Sequence, residues 1–438
     1  MQSKSVRYIT ITLAATFISL IFCTKTLYGQ FNTYSPYTLF GLGDLAKQGV
    51  GQNLAMGGTG LAVHESNRLN YLNPASFGSL DSTSVYFDFG ANAFFNEYTS
   101  TSFSNTWWNM NLHHVLFGTS IGKYLGFSAG IVPFSSIGYN VKQEYNDYVA
   151  GEAMDTYYKG DGGIMNFYLG ASVKFFDRLS LGVTMNYLMG RLTRERQVDF
   201  PMNSDYSSTS SLENFDLRTP MFTLGLQYKQ TFEEKFFFSL GGTYNIETTT
   251  GVDLDYRVIN TIYPYDTITI STDELITPEY MLSGDTTSLN LTIPDKIGFG
   301  LAVGIPDKLI LTGDYYMQDW TGVMSGENYA TTKSSSMHFG AEFIPDREAI
   351  RGYHKLMAYR LGGYYTNYYL QVYDTQLKDY GITFGLGFPV RTMKSSINVA
   401  FTLGTRGTTE YNLVKENYGI ITFNVTLHDL WFRKRRFD

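Results

Sequence analysis

From about Thr83 onward the chain switches repeatedly between strict alternation of apolar and polar residues and short runs of turn chemistry. In "LSLGVTMNY", Leu179, Leu181, Val183, Met185 and Tyr187 fall on one face, and Ser180, Gly182, Thr184 and Asn186 on the other. "FTLGLQY", "KIGFGLAVGI", "YGITFGLGFPV" and "IITFNVTLH" repeat the scheme. Phe222, Leu224 and Leu226, then Ile297, Phe299, Leu301 and Val303, lie on the apolar side. This period predicts antiparallel strands, and a soluble sandwich would satisfy it as well as a membrane barrel.

Strand length and connection rhythm separate those two. Many segments reach about ten residues or more, as a tilted membrane strand requires, where soluble strands average about five or six. Short charged turns, "GKYLG" at Gly122, "FDRL" at Phe176, "FEEK" at Phe232 and "IPDK" at Ile305, alternate with long polar connections. The long ones are expected at Gln143 to Gly160, Arg257 to Thr292, Thr321 to Ser334 and Tyr368 to Lys378. Tight periplasmic turns alternating with long outer loops are the habit of outer-membrane barrels. The expected fold is therefore all-β: a transmembrane antiparallel β-barrel of about 14 strands over residues 82–432, integral to the outer membrane of a Gram-negative cell, with both ends in the periplasm.

Residues 30–81 lack sustained alternation. They are glycine-rich and weakly apolar, with small residues at Ala55, Met56, Gly57, Gly58 and Gly60 and too little charge or proline for a disordered tail. We expect them to form an N-terminal hatch, or plug, inside the lumen. The stretch ends in "LNYLNPASFG": Pro74 fixes its own backbone, biases Asn73 towards an extended conformation and makes a hinge of Asn73, Pro74 and Ala75 between hatch and barrel.

Composition fits this picture. Aromatic residues reach 16% with 35 Tyr and 32 Phe, there are 43 Gly, and only 17% of residues are charged. The net charge of -7 offers no basic face for nucleic acid. At the N-terminus, Lys4 and Arg7 precede the apolar run "YITITLAATFISLIFC", and small Gly29 precedes Gln30, so residues 1–29 read as a signal peptide. Bulky Phe22 before Cys23 disfavours a lipoprotein signal, and loss of Cys23 with the signal leaves the mature chain without a thiol. Residues 433–438 form a basic periplasmic tail that could touch lipid head groups or a partner protein.

The stretches "AMGGTGLA", "YLNPASF", "LGFSAGIVPFSSIGY", "GGIMNFYLGASVKFFDRLSLGVTMNYLMG" and "IPDKIGFGLAVGIPDKLILTGDYYMQDW" together resemble, in order, the FadL/TodX family of outer-membrane transporters for long-chain fatty acids and other hydrophobic compounds. The resemblance implies a 14-stranded barrel closed by a hatch, with Asn73, Pro74 and Ala75 as the hatch motif. It also implies a hydrophobic small-molecule ligand that binds above the hatch and leaves sideways into the outer-membrane lipids beside a kink in the third strand. That strand carries Pro133, which cannot give an N–H to the ladder, and Ser135 and Ser136 stand ready as local partners. The Asn73–Ala75 turn is expected to face this kink. Arg68 is the candidate for holding a ligand carboxylate.

No catalytic constellation emerges, so no enzyme activity and no cofactor are expected. His113 and His114 are adjacent on a strand, which should point them to opposite faces and keep them from sharing a metal. Asp161 in "GDGG" could hold calcium, though such a run usually makes only a turn. Asp266, Asp273, Glu274, Glu279 and Asp285 read as solvated acids of an outer loop. The rival to a transporter is a structural barrel serving as a subunit of an outer-membrane protein export or assembly machinery, with a periplasmic or outer-membrane protein partner.

Overall fold

The computed structural model describes residues 35–430, apart from 102–103, 150–151, 177, 200–207, 234, 263–265, 271–287, 327 and 391–393. The signal segment, the basic tail and Asp273, Glu274, Glu279 and Asp285 lie outside the described residues.

A two-residue strand, β1 (Asp44–Leu45), precedes the barrel. Six hairpin-linked strands follow: β2 (Ser84–Thr99), β3 (Ser104–Ile121), β4 (Leu125–Val149), β5 (Glu152–Phe175), β6 (Leu179–Asp199) and β7 (Ser208–Phe232). The next stave is split into β8 (Phe236–Asn245) and β9 (Thr248–Ile262), with β10 (Asp266–Ile270) paired on β9. Its neighbour is split into β11 (Ser288–Ile293) and β12 (Lys296–Ile305). After β13 (Leu309–Asp319), the connection carries β14 (Ser325–Gly326) and β15 (Tyr329–Thr331). β16 (Lys333–Phe343), β17 (Ala358–Val372), β18 (Thr375–Pro389), β19 (Ser396–Arg406) and β20 (Lys415–Leu430) complete the wall. β20 pairs with β2 from Leu430 opposite Ser84 to Lys415 opposite Thr99, which closes an antiparallel barrel of 14 staves.

The alternation divides outside from inside. On β6, Leu181, Val183, Met185, Tyr187 and Met189 are exposed, as lipid-facing positions must be, while Ser180, Thr184 and Asn186 are buried in the lumen. β7 repeats this, with Phe222, Leu224 and Leu226 outside and Thr223 and Gln227 inside. An apolar exterior on a closed barrel, with every stave paired to its neighbours, is the outer-membrane solution to burying a backbone in lipid. No helix among the described residues is long and apolar enough to cross a membrane.

Two of the expected long connections are short. β4 and β5 continue through the Gln143–Gly160 region to Val149 and Glu152, and β17 and β18 meet at Val372 and Thr375. Polar side chains do not stop a ladder that has run out of the bilayer. The "GDGG" run is likewise inside β5 rather than a turn. At the opposite end, residues 344–357 form a long connection carrying the short helix Tyr353–Leu356.

Residues 35–81 lie inside the ring, with residues 35–48 farther from the short turns than the rest. Their short helix Gly51–Ala55 packs on β17 to β20, and the 3-10 turn Pro74–Ser79 packs on β3 to β7.

Candidate functional site

Wall and hatch are fitted to each other by glycine. A Cβ on Gly126 would strike the Phe77 carbonyl, one on Gly182 the Pro74 backbone, one on Gly241 the Leu61 carbonyl and one on Gly362 the Met56–Gly57 peptide. The polar or glycine positions of the strand alternation are therefore the places where hatch backbone lies directly on barrel backbone. Asn73 has the expected extended backbone, and its Oδ1 accepts from the Ala75 amide at 3.0 Å. Its Nδ2 donates to the carbonyls of Leu61 (2.8 Å) and Leu226 (3.0 Å).

This motif does not face the kink in the third barrel strand, contrary to the sequence expectation. Gly182 of β6 and Gly225 of β7 leave the recess that Asn73, Pro74 and Ala75 fill, on a different arc of the wall. The kink is met by an earlier part of the hatch. β3 and β4 pair only from Ile121 opposite Leu125 to Val115 opposite Ile131. β3 then continues to Ser104 along β2, and β4 slips by one residue against β5 between Pro133 and Ser135. In the place of β3, β4 takes β1: Leu45 stands opposite Ser135 and Asp44 opposite Ser136. The Ala46 amide donates to Phe134 O at 2.9 Å, and Gln48 Nε2 to Pro133 O at 3.3 Å. Hatch backbone thus satisfies the strand edge that proline and the bulge leave open. The Ser135 side chain was expected to do this, yet its hydroxyl has no hydrogen-bond partner among the described residues.

A buried polar cluster borders the seam. β2 and β3 slip between Gly90 and Ala91, with His113 as the extra residue, so the bulge turns both histidines inward instead of to opposite faces. His113 Nδ1 and His114 Nδ1 are 2.7 Å apart, and His114 Nε2 lies 2.6 Å from Asp88 Oδ1. Thr426 donates to Asp88 Oδ2 at 2.6 Å, and His113 Nε2 lies 3.3 Å from the Lys47 carbonyl. Among the described residues no group of three or more His, Cys, Asp or Glu side chains could hold a metal ion. Two adjacent histidines in an otherwise alternating strand were the available signal for this bulge.

The lumen changes character with height. At hatch level β6 and β7 turn Ser180, Thr184, Thr223 and Gln227 inward; above it they present Leu188, Leu192, Met221, Leu217 and Phe215. These join Ile137, Ile164, Trp320 and Tyr369 in one apolar cluster, and the hatch contributes Tyr37 and Leu42. Residues 35–48 therefore occupy two places at once: the open edge of β4 and the apolar upper lumen.

That segment is held by charge and hydroxyls. Asp44 accepts from Arg406 Nη1 (2.6 Å) and from the Tyr368 hydroxyl (2.8 Å), and Arg406 Nε also donates to Glu416 at 2.8 Å. Tyr369 donates to Gly43 O, Tyr37 to Val414 O, and Arg194 to Gly41 O. Lys47 Nζ reaches Asp379 at 3.3 Å and the Tyr364 hydroxyl at 2.6 Å. Burial alone would lower the Lys47 pKa, but the carboxylate of Asp379 and the Tyr364 hydroxyl outweigh it and hold the ammonium above its ordinary range.

Arg68 sits elsewhere, at the short-turn end. Its guanidinium is buried and forked onto Glu342 (2.7 and 3.2 Å), with Nε on Glu65 at 2.7 Å, while Arg360 reaches Glu342 at 2.6 Å. Its donors face protein carboxylates, not the apolar lumen.

The family model BamG matches residues 11–438. The chain belongs to the BamG family. No curated protein matches it. The chain is similar in fold to a Pseudomonas aeruginosa FadL homologue (TM-score 0.60, 12% identity, covering 89% of this chain and 99% of that one). It is likewise similar to the CymD monoaromatic hydrocarbon channel (0.56, 12%, 88% and 98%). A third neighbour is the Ralstonia pickettii toluene transporter TbuX (0.52, 15%, 86% and 97%). The resemblance to the FadL/TodX family thus holds for the fold, while the BamG family is a related one.

Proposed function

We propose that this barrel passes hydrophobic small molecules, such as long-chain fatty acids, across the outer membrane, and that hatch residues 35–48 are the gate. One observation carries the reading: the same segment plugs the apolar upper lumen and completes the open edge of β4 beside Pro133. A ligand entering from the long-loop end competes with Tyr37 and Leu42 for apolar surface. Displacing them peels β1 from β4, and the space between β3 and β4 above Val115 becomes a lateral exit into lipid. Pro133, Ser135 and Ser136 line that exit; Asn73, Pro74 and Ala75 keep the rest of the hatch seated on β6 and β7. No bond is made or broken, so the reading includes no enzymatic step and no cofactor. The names of the structural neighbours, a monoaromatic hydrocarbon channel and a toluene transporter, support hydrophobic cargo. Loss of labelled oleate and aromatic-hydrocarbon uptake in a deletion strain, restored by the wild-type gene, tests it; unchanged uptake would refute it.

A second reading is favoured by the density of anchors on that segment. Arg406, Glu416, Asp379 and Arg194 hold it at Asp44, Ser35, Lys47 and Gly41 through several charge-assisted bonds, which suits a hatch that stays shut. The barrel would then be a structural subunit of an outer-membrane protein export or assembly machinery. A stoichiometric protein partner retained through purification favours this reading; a lipid or hydrocarbon retained in the lumen favours the transporter.

A further inference from the structure

The lipid-facing side of the wall is not uniform. On β6 and β7 its side chains stand at even height, with Leu181 43% and Leu226 46% exposed, whereas Trp108 on β3 and Ile382 on β18 stand proud at 70% and 60%. Between these two lies an outward slot of about 780 Å³, crossing β3, β2, β20, β19 and β18. The register makes it: Phe95 and Leu403 both stand opposite Gly419, and Trp108 and Ile382 continue the row on either side. Gly419 is the floor. A Cβ there would come no closer than 3.6 Å to a neighbouring strand, so no packed backbone demands this glycine, unlike Gly182 and Gly241 against the hatch.

The groups above the slot are polar. Thr405 donates to Asn417 at 3.0 Å and Asn417 to Glu97 at 3.2 Å, which ends the apolar band one outward position above Gly419. The next outward position carries Lys415 on β20 and Lys378 on β18. Both point away from the lumen, because their neighbours Glu416 and Asp379 turn into it, to Arg406 and Lys47. Asp379, Arg406 and Glu416 form one rung, which sets the two lysines about 10 Å apart and about 13 Å above the slot floor. Neither lysine has an ion-pair partner among the described residues. An apolar slot at the edge of the hydrocarbon layer, then a hydroxyl and amide rung, then two cations matches an amphiphile standing in the outer leaflet with its chain in the slot and its anionic head above. A protein partner needs about 20–30 residues of matched surface on each side, and this slot is one outward row deep.

We infer that this outer face holds one phosphorylated, multiply acylated glycolipid of the outer leaflet, an acyl chain lying on Gly419 and phosphates on Lys378 and Lys415. The site is on the outside of the barrel and is independent of what the lumen carries. Native mass spectrometry of the full barrel in detergent, titrated with bisphosphorylated hexa-acyl lipid A, tests it. A saturable one-to-one adduct is expected, weakened at least about tenfold both in Gly419→Leu, which fills the slot, and in Lys378→Glu/Lys415→Glu. Gly242→Leu, at an outward glycine of β8 outside the slot, should bind as the wild type does. Retained heat-modifiable mobility in gels establishes that the variants are folded. No adduct with the wild type, or equal binding by the Gly419 and double-lysine variants, would overturn the proposal. Competition by phosphatidylglycerol as effective per mole as lipid A would overturn the glycolipid as occupant, and a dimer of the chain that Gly419→Leu abolishes would replace it with a second copy.

Discussion

Leu45 of the hatch stands directly opposite Ser135 of the barrel wall, in a ladder that continues β4 beyond the point where β3 leaves it. A wall strand that takes its partner from the plug ties the state of the plug to the continuity of the wall, and in the proposed gate moving one opens the other.

The anchors of this segment set how often it moves. In Arg406→Met, Asp44 and Glu416 lose their shared cation in a buried site, which typically costs about 3–5 kcal/mol. Amide exchange in residues 35–48 should accelerate by about a hundredfold or more while exchange in β6 and β7 stays slow. Hydrogen-exchange mass spectrometry reads both, and uniform acceleration would mean that the segment is not a separate unit.

Gly182→Val tests the fit at the other side of the hatch. Its side chain would collide with the Pro74 backbone, an overpacking that costs about 1–3 kcal/mol and cannot be relieved by a rotamer change. The barrel is expected to form but to lose heat-modifiable mobility at a lower temperature. Leu181→Val, on the lipid face of the same strand, should leave that temperature nearly unchanged.

Pro133→Ala restores a backbone N–H on the side of β4 where Gln48 meets residue 133. We expect the β3–β4 ladder to extend beyond Val115 and Ile131, with slower exchange in residues 109–114 and reduced hydrophobic uptake. Unchanged exchange there would show that the hatch strand alone, not the proline, keeps the seam.

Lys47 gives a pH dependence whose sign is fixed. Its folded pKa is raised, so its contribution is fully present below the ordinary lysine value of about 10.4 and is lost as pH rises through the folded value. Hatch anchoring should therefore be constant from neutral pH to about pH 10 and weaken only above it, and Lys47→Met should abolish that alkaline loss. Exchange of residues 44–48 against pH is the measurement.

The alternation made the barrel legible because lipid and lumen reward opposite side chains on every strand, as Leu181 and Ser180 illustrate. The hatch was legible by exclusion, from small residues without period. The site was legible only in part. Pro133 announces a defect whatever surrounds it, but nothing local in Asp44 or Leu45 says that they will join β4. Asn73 was identified by its turn chemistry and misplaced, because its recess is made by Gly182 and Gly225, far away in sequence. Arg68 looked available because Glu342, its partner, lies on β16. Relationships between distant residues are fixed by barrel register, and no periodic signal carries them.

The gate is tested most directly by locking it. Leu45→Cys and Ser135→Cys place the pair opposite each other in a mature chain expected to hold no other thiol, since Cys23, the one cysteine, falls in the segment expected to be removed as a signal. Uptake of a labelled hydrophobic compound is measured with the disulfide formed and again after reduction. The expected result is uptake lost in the oxidised barrel and recovered on reduction. Equal uptake in both states would contradict a gate built from residues 35–48.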